Sequence, residues 1–91
     1  MTCQQRKAPR WSRAQIQAAR RASLPELLNA RCFGLRETGA GNFAIREHPG
    51  IVVKDSFWRD SDTERAGNAI DFFVQVLGMS FHDAMREIAP P

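Results

Sequence analysis

The sequence predicts an α+β domain with two N-terminal helices, a small antiparallel sheet of three to four strands, and two C-terminal helices. Three observations support this. Apolar residues recur at helical spacing toward both ends, short apolar runs between glycine- or proline-containing turns fill the middle, and serine or asparagine stands where helices should begin. The chain has 91 residues, 43% of them hydrophobic, which suffices for one modest core. We therefore expect a disordered basic tail, residues 1–10, and one folded module, residues 11–91.

The two helices before the sheet are each predicted from a capping motif. Ser12 is followed three residues later by Gln15, and Ser23 by Glu26, which is the spacing of a capping box. In such a box the serine hydroxyl accepts a hydrogen bond from a backbone N–H of the first turn, where no helical carbonyl is available. The first helix is expected to run up to the second cap, and the second helix to end before Gly34.

The middle of the chain has the pattern of a meander of short strands. Residues 39–42, Gly-Ala-Gly-Asn, are rich in residues that accept positive φ and predict a hairpin turn. Pro49–Gly50 and Lys54–Asp55 predict the next two turns. Residues 60–66 are polar and acidic and predict a loop. The predicted strands are residues 35–38, 43–46, 51–53 and 56–59.

The C-terminal third has the clearest helical pattern. Asn68 caps one helix with Asp71 at its third position, Gly78 ends that helix, and Ser80 with Asp83 opens the last one. Apolar residues fall on two faces of the first of these helices, so we expect it to be buried on more than one side. One face holds Ile70, Phe73, Val74 and Leu77, and the other holds Phe72 and Val76.

The charge of the chain is distributed unevenly. Residues 1–21 hold six basic and no acidic side chains, whereas the remainder holds seven basic and ten acidic ones. A basic arm of this kind is the electrostatic pattern expected of a protein that contacts a phosphate backbone. It is also typical of a terminus that keeps a small protein in solution. The six basic residues are Arg6, Lys7, Arg10, Arg13, Arg20 and Arg21.

The sequence lacks the residue patterns of the common catalytic and metal sites. Its two cysteines and two histidines occur singly, without the paired spacing of a structural zinc site, so no metal and no cofactor are expected. The glycines at positions 39–41 precede a strand rather than a helix, which does not fit a phosphate loop. His48 beside Glu47 is open to two interpretations, a base or a structural residue. The acidic residues between positions 55 and 64 alternate with basic ones and indicate a solvated loop rather than a magnesium site. We expect no enzyme activity.

The sequence also bears on where the chain resides. No apolar run approaches the roughly 18 residues that a membrane span needs. The N-terminus has charges without an apolar stretch behind them, which differs from a signal peptide. These observations predict a cytoplasmic protein without a membrane partner.

Two segments near the C-terminus resemble the zinc-binding domain of bacterial replicative primases. Residues 65–73 read Arg-Ala-Gly-Asn-Ala-Ile-Asp-Phe-Phe, and residues 78–85 read Gly-Met-Ser-Phe-His-Asp-Ala-Met. In those primases Gly-Gly-Asn/Asp-Ala-Ile-Asp-Phe opens one helix and Gly-x-Ser-Phe-x-Glu-Ala opens the next. The chain departs from the family where zinc is held. Arg46–Pro49 stands near the first ligand pair with only His48 shared in type, and the second pair falls around residues 59–65, which contain no cysteine.

The chain is also similar to a zinc-less form of that domain, found at the start of Toprim-associated mobile-element proteins of unknown function. The similarity extends over about residues 11–88. It implies a primase-like module involved in DNA replication, present either as part of a larger Toprim protein or alone. An aromatic-aliphatic sheet would then replace the stability that zinc supplies, on the order of 10 kcal/mol in small fingers. The matching segments are Trp11–Ser12, Gln15–Leu28, Arg46–His48, Phe57–Trp58 and Gly67–Phe72.

From these observations we expect a non-catalytic module that binds nucleic acid, with single-stranded or template DNA as its partner. Trp58 beside Arg59 could stack on bases, but a core or half-buried residue of the sheet is the favoured interpretation of Trp58. The alternative function is a protein-interaction module that docks onto a Toprim or replication protein. Basic residues scattered around the fold would weaken the DNA-binding hypothesis. The candidate DNA-binding residues are Arg10, Arg13, Arg20, Arg21, Arg46, Lys54, Trp58 and Arg59.

Overall fold

The structure, a computed structural model, describes residues 11–89. It is an α+β fold in which five antiparallel strands follow one another in the order β1-β2-β3-β4-β5, with helices before and after the sheet. The predicted class and order of elements are therefore confirmed, with five strands instead of three to four. The predicted disordered tail, including Arg10, lies outside the described residues. The elements are α1 (Arg13–Arg20), α2 (Leu24–Ala30), β1 (Leu35–Gly39), β2 (Asn42–Ile45), β3 (Ile51–Lys54), β4 (Phe57–Asp60), β5 (Arg65–Gly67), α3 (Ala69–Asp71), a π-helical segment (Phe72–Val76) and α4 (Phe81–Ile88).

Both predicted N-terminal caps are present. The Gln15 N–H donates to Ser12 Oγ at 3.0 Å, and the Ser12 N–H donates to Gln15 Oε1 at 2.7 Å, which completes a capping box. At the second helix the Glu26 N–H donates to Ser23 Oγ at 3.3 Å. These bonds join residues three apart in sequence, and for this reason the capping pattern located both helix starts correctly.

The strands place alternate residues on two faces of the sheet. Phe43 pairs with Val53, and Val53 pairs with Trp58, so these three side chains share one face. Val53 and Trp58 are buried, whereas Val52 and Phe57 between them are exposed. We call the buried side the inner face. Among residues 11–89 no helix covers the other side, the outer face, on which Val52 and Phe57 are exposed.

The fifth strand corrects the prediction of a loop over residues 60–66. Arg65 to Gly67 forms β5 and pairs antiparallel with β4, with Ala66 opposite Arg59. The turn between them includes Glu64 at φ 58°, in the left-handed region. Arginine, alanine and glycine give no apolar alternation, so the strand has no pattern in the sequence. It forms because the backbone of β4 offers an open edge of hydrogen-bonding groups.

The helix after the sheet starts as predicted and then widens. Asn68 caps it, with the Asp71 N–H donating to Asn68 Oδ1 at 3.0 Å. From Phe72 the segment is π-helical, and the Leu77 N–H donates to the Phe72 carbonyl at 3.2 Å. Phe72 and Phe73 are both fully buried, which agrees with the prediction of burial on more than one side.

The core lies between the inner face and the helices. Leucines of α2 and aromatic residues of the π-helical segment cover the strands. The Trp58 Nε1–H donates to the Asn68 carbonyl at 3.0 Å, and the Trp58 ring meets Phe72 edge-on with centroids 5.8 Å apart. Through residues 11–89, no helix has both the length and the apolar character needed to cross a bilayer. The fully buried large side chains include Leu24, Leu28, Ile45, Val53, Phe72, Phe73 and Met85.

Candidate nucleic-acid interface

One row of residues runs across all five strands on the outer face. Strand pairing places Arg36 opposite Ala44, Ala44 opposite Val52, Val52 opposite Arg59, and Arg59 opposite Ala66. Because directly opposed residues share a face, this central row presents two guanidinium groups separated by small or β-branched side chains. Neighbouring strands are about 4.8 Å apart, so the two arginines are separated by roughly 14 Å along the row.

A second row on the outer face adds a cation and an aromatic ring. Lys54 pairs with Phe57 across the β3–β4 turn. The Phe57 side chain is 65% exposed, and Val52, diagonal to it, is 40% exposed. An exposed phenyl ring beside an ammonium group is the combination found where proteins stack on nucleic-acid bases and neutralise the adjacent phosphates.

A third row begins with Arg46, directly after β2. The Arg46 N–H donates to the Gly34 carbonyl at 2.8 Å, which extends the β1–β2 ladder by one step. The Arg46 side chain folds back over Gly34, since a Cβ at position 34 would come within 2.9 Å of Arg46 Nε. Arg46 is therefore diagonal to Arg36 on the same face. A groove of about 600 Å³ runs beside these two arginines, with Ala44, Pro49 and Gly50 among its lining residues.

The carboxylate of Glu47, the neighbour of Arg46, accepts hydrogen bonds from the backbone and forms no salt bridge with Arg46. The Gly34 N–H donates to both of its carboxylate oxygens, at 2.9 and 3.2 Å. This hydrogen bond lowers the pKa of Glu47 below its ordinary value, with a smaller contribution from the charge of Arg46. Within residues 11–89 no carboxylate comes into salt-bridge distance of any of the four outer-face cations. These cations are Arg36, Arg46, Lys54 and Arg59.

The outer face has an acidic border beyond the groove. A Cβ on Gly50 would come within 2.6 Å of Asp62 Oδ2 and 3.6 Å of Asp60 Oδ1, so both carboxylates lie close to this glycine. Gly50 also has φ 95°, a conformation that other residues rarely adopt. Both the backbone conformation and the close carboxylate therefore favour glycine at this position. Asp60 and Asp62 do not form a metal site: in the described part of the chain, no three side chains of the His, Cys, Asp or Glu type converge.

The predicted site residues fall on two sides of the molecule. Arg46, Lys54 and Arg59 lie on the outer face, as described above. Arg13, Arg20 and the following Arg21 belong to α1 and its C-terminal cap, and α1 packs mainly against α3 and α4. The helical layer and the sheet thus separate the α1 arginines from the outer-face cations. The basic residues are divided between two surfaces rather than gathered on one, which weakens the combined site that we expected from the sequence.

Trp58 must be removed from the predicted site. Only 2% of its surface is exposed, and its indole N–H is already bonded within the core. The stacking interpretation of Trp58 is therefore wrong for this fold, and the core interpretation is correct. Neither Phe57 nor Arg36 is among the predicted site residues, and both are exposed on the outer face. Strand alternation contained the signal for Phe57. In a strand, Phe57 and Arg59 share one face and Trp58 lies on the other, so a buried Trp58 implies an exposed Phe57.

The environment of His48 supports its structural interpretation. Its ring is half-buried, with its centroid 5.9 Å from that of Phe33 and 6.3 Å from that of Phe72. The Ile51 N–H donates to the His48 carbonyl at 3.2 Å, so its backbone also closes the turn between β2 and β3. We assign His48 a packing role.

Comparison with known proteins gives no relative: no protein-family model, no curated protein and no solved structure matches this chain.

Proposed function

We propose that this protein is a non-catalytic module that binds single-stranded nucleic acid, DNA in the first place, across the outer face of its sheet. The observation that carries the proposal is the pair of outer-face rows formed by Arg36, Ala44, Val52, Arg59 and Ala66 and by Lys54 and Phe57. These rows combine three cations with an exposed ring and contain no acidic side chain. The resemblance to primase zinc-binding domains points to the same ligand.

The chemistry of the outer face suits a single strand better than a duplex. Exposed bases of a single strand can stack on Phe57, while the cations on either side contact phosphates. Such binding is tolerant of sequence, because every base has a face that stacks. A duplex keeps its bases stacked internally and would use the cations alone. We therefore propose a preference for single strands, and residence in the cytoplasm, where such strands arise during replication.

Two variants with equal charge changes test the location of the site. Arg36→Gln, Lys54→Gln and Arg59→Gln together remove three positive charges from the outer face. Arg13→Gln, Arg20→Gln and Arg21→Gln remove three from α1. Both variants lower the net charge equally, so a difference between them reports position. Affinity for single- and double-stranded oligonucleotides would be measured across a salt series.

We expect the outer-face variant to lose most of its affinity for single strands. Each phosphate contact that it loses should flatten the log–log salt dependence by about 0.7. The α1 variant should keep its slope. The reverse result would move the site to α1 and the basic N-terminal segment, which includes Arg10. Wild-type protein without measurable binding at low salt would reject the proposal.

The alternative function is docking onto a Toprim or replication protein. The exposed apolar side chains Val52 and Phe57 favour it, because a protein partner could cover them as well as a base could. The two functions differ in salt dependence, since apolar docking releases few ions. Absence of DNA binding, together with binding to a Toprim domain that Phe57→Asp abolishes, would support the alternative.

A further inference from the structure

The proposed function uses the charge of Arg36 but not the groove beside Arg36 and Arg46. Arg36 pairs with Ala44 in the β1–β2 ladder, and Arg46 lies two residues beyond Ala44 on the same face. Diagonal neighbours in an antiparallel pair are roughly 7–8 Å apart at their Cα atoms. The two side chains bring two like charges to the same part of the groove, where an anion would be attracted to both. No carboxylate within residues 11–89 takes that place.

The Arg46 guanidinium packs over Gly34. The Arg46 side chain occupies the space that a Cβ would fill at Gly34, with Nε, Cζ and one terminal nitrogen all within 3.1 Å of that point. The neighbouring carboxylate of Glu47 is held by the Gly34 N–H and does not form a salt bridge with Arg46. Within residues 11–89 the Arg46 guanidinium thus forms no salt bridge, and it packs over a glycine. Guanidinium groups bind phosphate oxygens in a fork, which gives such a pair geometric specificity.

The acidic border makes one end of the groove unfavourable for a phosphate backbone. Asp60 and Asp62 lie against Gly50, which lines the groove. A phosphodiester backbone that continued past this point would meet two carboxylates, whereas one that leaves toward Arg59 and Lys54 meets cations. A strand that enters the groove should therefore end there. A terminal phosphate monoester has close to two negative charges near neutral pH, and the two guanidinium groups match it.

We propose that the groove beside Arg36 and Arg46 binds the terminal phosphate monoester of a single nucleic-acid strand, whose remaining nucleotides lie across the outer face. This rests on the proposed function for the path of the strand. The phosphate site itself stands on the geometry of Arg36, Gly34 and Arg46. The ligand chemistry is that of a phosphate monoester, and it could come from a strand end or from a free nucleotide.

The test compares thymidine oligonucleotides of about 8 nucleotides, within the usual site sizes for single-strand binding, that differ only at their ends. The three forms have a 5′-phosphate, a 3′-phosphate or no terminal phosphate. We expect one phosphorylated form to bind about tenfold more tightly than the unphosphorylated form, in the range of a charge-assisted contact. Thymidine monophosphate and inorganic phosphate serve as free-ligand arms, with the Gly34 and Arg46 amide resonances as the readout.

Three variants locate the effect. Arg46→Gln should abolish the advantage of the terminal phosphate. Gly34→Ala should reduce it without any change of charge, because the added methyl group displaces the guanidinium. Arg86→Gln, which removes one charge from α4, should leave the advantage intact. Amide spectra of each variant show whether it is folded. If Gly34→Ala does not fold, Arg46→Gln alone still tests the proposal.

The two proposals fail in different ways. If all three oligonucleotides bind equally and the outer-face charge variant still loses affinity, the terminal-phosphate inference is wrong and the proposed function stands. If the terminal phosphate raises affinity equally in wild type and Arg46→Gln, the phosphate binds elsewhere and the inference is again wrong. If no oligonucleotide binds, both the proposed function and the terminal-phosphate inference are rejected. Thymidine monophosphate that shifts the groove resonances more strongly than any oligonucleotide would identify a nucleotide site instead.

Discussion

Phe57 and Trp58 are adjacent in sequence and have opposite environments. Phe57 points away from the core and is 65% exposed, whereas Trp58 is 2% exposed and hydrogen-bonded to Asn68. The pleat of β4 alone produces this difference, since successive side chains of a strand point to opposite faces. At the scale of the residue, the larger aromatic side chain stabilises the fold and the smaller one is available to a ligand.

The first prediction separates these two roles. Phe57→Ala should lower the affinity for single-stranded oligonucleotides by about 1–3 kcal/mol, the range for one base–aromatic stack. It should leave the salt slope and the melting temperature nearly unchanged, because the ring is exposed and uncharged. Affinity measured across a salt series, with thermal melts, checks this. A change of slope without loss of affinity at low salt would contradict stacking by Phe57.

The second prediction concerns Glu47. Its pKa is lowered in the folded state, first by the hydrogen bond from the Gly34 N–H. A carboxylate with a depressed folded-state pKa stabilises the fold at pH values above its ordinary pKa. That contribution is lost as the pH falls through the lower, folded-state pKa. Wild type should therefore melt at a higher temperature than Glu47→Gln at pH 7, and the difference should vanish at strongly acidic pH. A difference that persists at acidic pH would assign the effect of the substitution to packing.

At the scale of the element, the helix after the sheet buries two adjacent aromatic side chains, Phe72 and Phe73. Adjacent side chains of an α-helix are about 100° apart, so two neighbouring aromatic residues are both buried only where the helix is covered over a wide arc. The segment Phe72–Val76 is π-helical, and both Phe72 and Phe73 are fully buried in it. Arg31 Cζ lies 5.6 Å from the centroid of the Phe73 ring, at a distance typical of a cation–π contact.

The third prediction tests that packing. Phe73→Ala should lower the free energy of unfolding by about 3–5 kcal/mol, the usual cost of truncating a buried phenylalanine. In a small domain this leaves much of the protein unfolded at ambient temperature. Gln75→Ala in the same segment is the matched control, because Gln75 is exposed. Chemical denaturation of both variants measures the effect. Equal stability of the two would show that Phe73 does not occupy the core position described here.

At the scale of the whole molecule, the helices of residues 11–89 cover the sheet on one side only. The helical layer supplies leucines and aromatic residues to the inner face, and the core joins residues from both ends of the chain. The Trp11 Nε1–H donates to His82 Nδ1 at 3.3 Å, which links the start of α1 to α4. The sheet thus has a face that stabilises the molecule and a face that remains free for a ligand.

The fourth prediction concerns metal. We expect the protein to fold without zinc, because the sequence lacks paired ligands and the inner face is packed with apolar side chains. A metal chelator should therefore leave the melting temperature unchanged, and elemental analysis should find less than stoichiometric zinc. Unfolding on chelation, which is the behaviour of domains that depend on a structural metal, would overturn this prediction.

Local hydrogen bonding explains what could be predicted from the sequence. The caps at Ser12, Ser23, Asn68 and Ser80, and the hairpin at residues 39–42, are all confirmed. Each depends on groups only a few residues apart, so the residue types at those positions are sufficient to specify it. The α+β class follows from these boundaries together with the change of hydrophobic period between them.

The candidate site depended on contacts between residues far apart in sequence. β5 forms through the open edge of β4, and its own residues have no strand pattern. Which of two adjacent aromatic residues is buried was decided by the side on which α2 and the π-helical segment pack. The diagonal placement of Arg36 and Arg46 follows from the register of β1 and β2. The sequence alone determined where the four helix caps and the hairpin at residues 39–42 lie. Only the tertiary structure decided which face of the sheet is free and which cations share it, because burial depends on what packs against a residue.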